Sequence, residues 1–173
     1  MYPEDFAQNL TTAADKTIDP PGFGSIPQGH PVYHFFYAWE AMRAQRSVPP
    51  RAAFDPVQVP ELLPYIAILD WQRETEGLAY RYRLVGTEVV TMLGQDPTGR
   101  YVRDLVAPER FEERRAAYAT AIGERRPVFT SRSVPVRDRE FIRVHTGLFP
   151  FDEQPGGNVF QLFLVAAPRD RRL

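Results

Sequence analysis

The stretch Tyr80–Gly99, YRYRLVGTEVVTMLGQDPTG, changes its conformational preference three times within a few turns of chain. Tyr80, Tyr82 and Leu84 alternate with Arg81 and Arg83, the period-two pattern of a strand with one buried and one wetter face. Gly86 breaks the pattern. EVVTML then reads as a short apolar helix, with Thr87 as its cap and Gly94 ending it in a left-handed conformation, and Asp96-Pro97-Thr98-Gly99 matches a type I turn. Few folds run a strand straight into a lone helical turn, so the elements on either side decide which one this is.

Residues 1–30 carry Pro and Gly too often for a helix or central strand and read as a flexible leader. VYHFFYAWEAMRAQR, from Val32 to Arg46, follows Pro31, a residue suited to a first helical position. Its aromatic face of Val32, Phe35, Phe36, Trp39 and Met42 is too large to leave in water, because each large side chain gains roughly 1.5 to 3 kcal/mol on burial. A connector broken by Pro49, Pro50, Pro56, Pro60 and Pro64 reads as extended, with one helical turn near Glu61–Leu63. YIAILDWQ and LAYRYRLVG form a hairpin, and YVRDLVA adds a turn or two beyond the short helix. Pro108 opens the longest helix, PERFEERRAAYATAIGERR, whose core stripe is Phe111, Tyr118 and Ile122 and whose end carries Arg125 and Arg126, as the macrodipole prefers. VFTSRSVPV, EFIRVHTGLF and NVFQLFLVAA then form a meander, and PRDRRL is a solvated tail.

This order predicts an α+β fold, a five-stranded antiparallel sheet with a helical patch on one face and an N-terminal flanking helix. It resembles a PAS domain, of the bacterial stand-alone PAS-like group, on FDPVQVPELLPYIAILD, YRLVGTEVVTMLGQDPTGR and RRPVF. The resemblance implies a leader at 1–30, the flanking helix and Pro-rich connector at 31–61, the PAS-like domain at 62–167 and a tail at 168–173. It also explains Tyr80–Gly99, since in that fold the second strand feeds a short helix that walls off the concave side of the sheet. Helices laid over a curved sheet leave a cavity, and small ligands favour such concave apolar sites.

The pocket is expected to be lined by Tyr82, Leu84, Met92, Leu93, Tyr118, Thr130 and Val144, with Tyr82 and Thr130 orienting a ligand. Phe35, Phe36, Trp39 and Met42 are expected at the interface of a homodimer formed through the N-terminal helix. Lys plus Arg number 21 against 22 Asp plus Glu, so no whole-molecule field draws the chain to nucleic acid or an anionic membrane. No run approaches the roughly 20 apolar residues of a membrane span, and a cytoplasmic location is expected.

The chain has no cysteine, which excludes disulfides and thiolate ligands. Set beside the PAS resemblance, the same lack disfavours a covalent flavin and a thioester chromophore. The long helix has no histidine for the haem mode of that family; a flavin held without a covalent bond stays open. His30 and His34 have a spacing that suits a metal on one helical face, but Pro31 puts His30 outside the helix, and both read as surface or interface residues. His145 shares a strand side with Phe141 and Arg143, opposite Ile142, Val144, Thr146 and Leu148, and reads as packed or exposed. Arg114, Arg115, Arg125 and Arg126, interleaved with acids, read as a solvated, salt-bridged edge of the long helix.

The leading expectation is a non-enzymatic sensory or protein-interaction module that binds a small molecule or partner. No kinase, cyclase or DNA-binding segment fits outside the PAS-like region, so it is expected to signal in trans to a downstream protein. The alternatives are a cone-shaped α+β enzyme like ketosteroid isomerase, with Asp70 as buried base and Tyr82 as hydrogen-bond donor, or a pure dimerisation scaffold.

Overall fold

The computed structural model describes residues 20–75, 77–134 and 138–173. In chain order the elements are α1 (Pro31–Arg43), β1 (Ile66–Glu74), β2 (Gly77–Val85), α2 (Thr87–Leu93), α3 (Pro108–Gly123), β3 (Val128–Ser133), β4 (Arg143–Asp152) and β5 (Val159–Pro168), with short 3-10 turns between. The strands form one five-stranded sheet in the order β2-β1-β5-β4-β3, and every neighbouring pair is antiparallel. This is the α+β architecture that the order of elements predicts. No helix among the described residues is long and apolar enough to cross a membrane.

The central strands are buried on both sides. On β5, Phe163, Val165 and Ala167 pack under α1, while Leu162, Leu164 and Ala166 face α2 and α3. On β4, Phe149 and Phe151 join the first set, and Val144 and Leu148 the second. A strand covered on both faces reads as a continuous apolar run, which is how GLFPF and LFLVAA look in the sequence.

α1 starts at Pro31, with His30 as its N-cap, and ends at Arg43, earlier than the expected Arg46, with Ala44 beyond it at a positive φ of 53°. Phe35 lies 4.8 Å from Phe149 between ring centres, and the Trp39 indole N–H donates to the Pro150 carbonyl at 3.0 Å, so the helix is pinned to the outer face of β4. The first nineteen residues of the leader lie outside the described residues. Its remaining part is packed: Phe23 is buried and meets Phe36 at 4.3 Å and Phe129 at 5.1 Å.

The stretch Tyr80–Gly99 folds as strand, helix and turn, with two local corrections. Gly86, not Thr87, is the N-cap of α2 and no side chain caps the helix, whereas Gly94 ends it at φ 76° as expected. The turn is one residue later than Asp96–Gly99. Arg100 N–H donates to Pro97 O at 2.9 Å, and Gly99 takes a positive φ of 83°, which a type II turn, not the expected type I, assigns to its third residue. Asp96 instead accepts from the Thr98 backbone N–H at 2.9 Å, and Gly99 N–H donates to Tyr82 O at 2.7 Å, so the turn clips onto the free edge of β2.

Gly86 is required for a reason the sequence hides. Its φ is ordinary, but a Cβ there would lie 2.5 Å from the Pro64 carbonyl oxygen. Only glycine lets the chain leave β2 this close to the 3-10 turn Leu63–Tyr65.

α3 ends at Gly123, so Arg125 and Arg126 lie beyond it and do not cap its dipole. Arg125 takes a left-handed conformation (φ 52°) and reaches the fully buried Asp152 carboxylate at 2.7 Å. The strand expected over 128–136 ends at Ser133; its last two residues lie outside the described residues. The C-terminal segment is exposed but tied down. Leu173 N–H donates to Gly29 O at 2.9 Å, and the Arg171 guanidinium sits 5.4 Å from the centre of the Tyr65 ring.

Candidate functional site

α2, the Gln95–Pro97 loop, Leu105, Val106 and α3 lie over the β2, β4 and β5 face and enclose a cavity of about 40 Å³. By the rule that a water needs at least roughly 10–15 Å³ of such space, this holds about three water-sized spheres. The walls are mostly apolar. Of the expected pocket residues, Tyr82, Met92, Leu93 and Val144 line it. Alternation along β4 also puts Thr146 on this face, leaving His145 on the other.

Three expected residues do not line it. Leu84 is 51% exposed, because the β1–β2 register slips between Ile68 and Leu69. Ile68 faces Leu84 while Leu69 faces Tyr82, so Arg83 is the extra residue and Leu84 turns to the face opposite Tyr82. Tyr118 is buried one layer away, its ring 4.6 Å from that of Tyr80, and neither hydroxyl finds a partner among the described residues. Burial, with Tyr118 beside it, pushes the Tyr80 phenol up to about 12. Thr130 sits behind the wall and reaches the cavity only through Thr146, Oγ1 to Oγ1 at 2.6 Å.

The main omission is Arg114. Expected on a solvated edge, it is only 9% exposed and lines the cavity, with no ion-pair or hydrogen-bond partner among the described residues. The signal was in the spacing: three residues after Phe111 and four before Tyr118, Arg114 sits on the apolar stripe of α3. Arg115, one position round the helix, pairs with Glu112 at 2.7 Å in solvent, as the sequence suggests.

Tyr82 is buried on the same wall, and its hydroxyl has no partner among the described residues. Burial, reinforced by Tyr118 and opposed by Arg114, raises its phenol well above the ordinary tyrosine range, so it stays a neutral donor. Arg132 donates from Nε to Thr130 Oγ1 at 3.1 Å. Burial first, and the Arg114 charge second, lower the pKa of this guanidinium.

The remaining candidates lie elsewhere. Phe35, Phe36 and Trp39, expected at a dimer interface, are buried against the chain's own sheet, where their apolar area is already covered. Only Met42 of that set is partly exposed. His30 is fully buried and is no surface residue. Its Nδ1 accepts from Val32 N–H at 3.2 Å, and Nε2 meets Pro168 O at 3.1 Å, so both ring nitrogens are used inside the fold. His34 is half-buried, with Nε2 unpartnered among the described residues. His145 is buried beside His30, 5.2 Å between ring centres. Asp70 is bound by Gln161 at 2.7 Å and Arg83 at 3.3 Å. That places it on the sheet face opposite Tyr82, since Gln161 also meets Arg51, which stacks on Phe54 and Phe163. The Asp70–Tyr82 pair that an isomerase-like site needs is not formed.

No curated protein matches the chain. Among solved structures, it is similar to a sensory box sensor histidine kinase from Vibrio cholerae, at 16% identity and a TM-score of 0.44, over 65% of this chain and 87% of that one. It is also similar to a sensory box histidine kinase/response regulator from Burkholderia thailandensis E264, at 12% identity and a TM-score of 0.41, over 66% of this chain and 84% of that one. A family model described as "PAS domain" matches residues 28–163, which include α1 and run into β5. With most of its length inside that match, the chain belongs to the PAS domain family.

Proposed function

We propose that the protein is a non-enzymatic cytoplasmic sensor that takes a small molecule into the cavity under α2 and α3 and passes the result to another protein. The observation that carries this reading is the cavity itself, with apolar walls and two polar side chains, Arg114 and Tyr82, that have no partner among the described residues. Such walls with sparse polar groups suit selective small-molecule binding. The moving part is α2. It has seven residues, and its C-terminal end is held by Arg139, which donates to Thr91 O at 2.9 Å. A ligand acts only by preferring one placement of α2 and the Gln95–Pro97 loop, because equal affinity for two states shifts nothing. Two copies associate through the outer side of α1 around Met42, since its inner side is already covered.

Native mass spectrometry of the full chain as purified tests this. One small molecule per chain, lost in an Ala166→Met variant that fills the cavity, is the expected result. The small volume favours a second reading, a scaffold with a filled core. A ligand-free protein that shows no thermal shift with any compound supports that scaffold instead.

A further inference from the structure

Resting on the reading of the cavity as a ligand site, we propose that its ligand is a small monocarboxylate, gripped by Arg114 and Thr146, with its short apolar body among Met92, Leu93 and Val144. Arg114 is nine-tenths buried, lines the cavity and has no acceptor among the described residues. A guanidinium that faces an apolar cavity with no fixed counter-charge leaves its donors open to an acceptor from outside the fold. The acids of α3 do not answer it. Glu112 is taken by Arg115 at 2.7 Å, and Glu109 and Glu113 are exposed, the charge of Glu113 acting on Arg132.

Of the other polar residues that line the space, Gln95 has its carbonyl oxygen taken by Arg100 at 3.1 Å, and Tyr82 and Thr146 carry hydroxyls. Arg132 has no acceptor atoms, so Thr130 Oγ1 accepts from it at 3.1 Å. Thr130 and Thr146 share a hydrogen bond of 2.6 Å in which either hydroxyl can donate. When Thr130 donates, the Thr146 hydroxyl proton is left for the cavity side. The Tyr82 phenol, kept neutral by burial, adds another O–H on the same wall. A cation and two hydroxyls that can donate, with no carboxylate and no free amide carbonyl among the lining side chains, complement an anion.

The shape of the site narrows the anion. A carboxylate takes two parallel N–H bonds from one guanidinium. A phosphate exposes more charged oxygen than one cation and two hydroxyls satisfy against walls such as Val89, Leu105 and Leu164. The space fits a body of about three to five heavy atoms, estimated from the volume needed per water-sized sphere.

The test uses the full chain, with acetate, propionate and butyrate titrated against propionamide, butyramide and inorganic phosphate at constant ionic strength, followed by NMR shifts and calorimetry. Carboxylates are expected to bind at least tenfold more tightly than the amides of equal shape, and to tighten from acetate to propionate. Arg114→Met is expected to weaken carboxylates at least tenfold and leave the amides unchanged, while Arg114→Lys lies between. Without ligand, Arg114→Met is expected to melt at a higher temperature than the parent, which shows that it folds. Amides that match the carboxylates, phosphate that matches propionate, or carboxylate binding untouched by Arg114→Met would each overturn the carboxylate assignment while leaving the cavity a ligand site. Binding of no probe would overturn both.

Discussion

Lowering the pH should loosen the protein through His30. This ring is fully buried as the N-cap of α1, and its two contacts require one tautomer. Nδ1 must be bare to accept from Val32 N–H, so the proton sits on Nε2 and is donated to Pro168 O. Adding a second proton sets Nδ1–H against an N–H. The charged groups that face the ring are His145 of β4 and Arg172 of the C-terminal segment. Burial, opposed by the Pro168 carbonyl and helped by His145 and Arg172, lowers the pKa from 6.5 to about 4.

The sign follows from proton binding. Between pH 6.5 and about 4 the unfolded chain binds a proton at this residue that the folded chain rejects, so unfolding gains as pH falls. The stabilisation is complete above pH 6.5 and is lost progressively toward pH 4. At about 1.36 kcal/mol per pH unit, that interval corresponds to roughly 3 kcal/mol.

The comparison protein is His30→Asn. Asparagine keeps a good N-cap but does not titrate, and loses the bond to Pro168, at about 1 kcal/mol near neutral pH. Urea unfolding followed by tryptophan fluorescence, at steps from pH 7.5 to 4.0, should show the parent losing roughly 3 kcal/mol more than the variant across that interval. Burial also lowers His34 and His145, but both remain in the two proteins, so their effect largely cancels in the difference. Parallel stability curves for parent and variant would refute the argument that His30 is held neutral.

Three further outcomes follow from other contacts. Gly86→Ala should destabilise the fold by about 1–3 kcal/mol or more in urea melts, because the new Cβ has no room beside the Pro64 carbonyl. Arg125→Met should lower stability by about 3 kcal/mol, since it strands the fully buried Asp152 carboxylate; adding Asp152→Asn should restore most of the loss, and a double variant no better than the single would argue against the pair. Trp39→Phe keeps an aromatic ring in the core but leaves the Pro150 carbonyl unpaired, which should cost about 1–3 kcal/mol in the same assay.

The kinds and order of the elements were legible in the sequence because they rest on local signals. Pro31 and Pro108 open helices, Gly94 closes one, and alternation along β4 sorts Val144, Thr146 and Leu148 from His145, while only the structure shows which side faces the cavity. Tertiary structure decided what periodicity cannot carry. A slip in pairing between Ile68 and Leu69 depends on two strands at once, and it turned Leu84 outward. Whether the aromatic face of α1 covers its own sheet or another copy's depends on how the Pro-rich connector returns the chain, and here Phe35 and Trp39 close over Phe149. Arg114 shows the boundary between the two. Its place on the α3 stripe was written in the spacing, but a charge on an apolar stripe is normally turned to water. Only the packing of α3 onto the sheet brought it over the cavity instead.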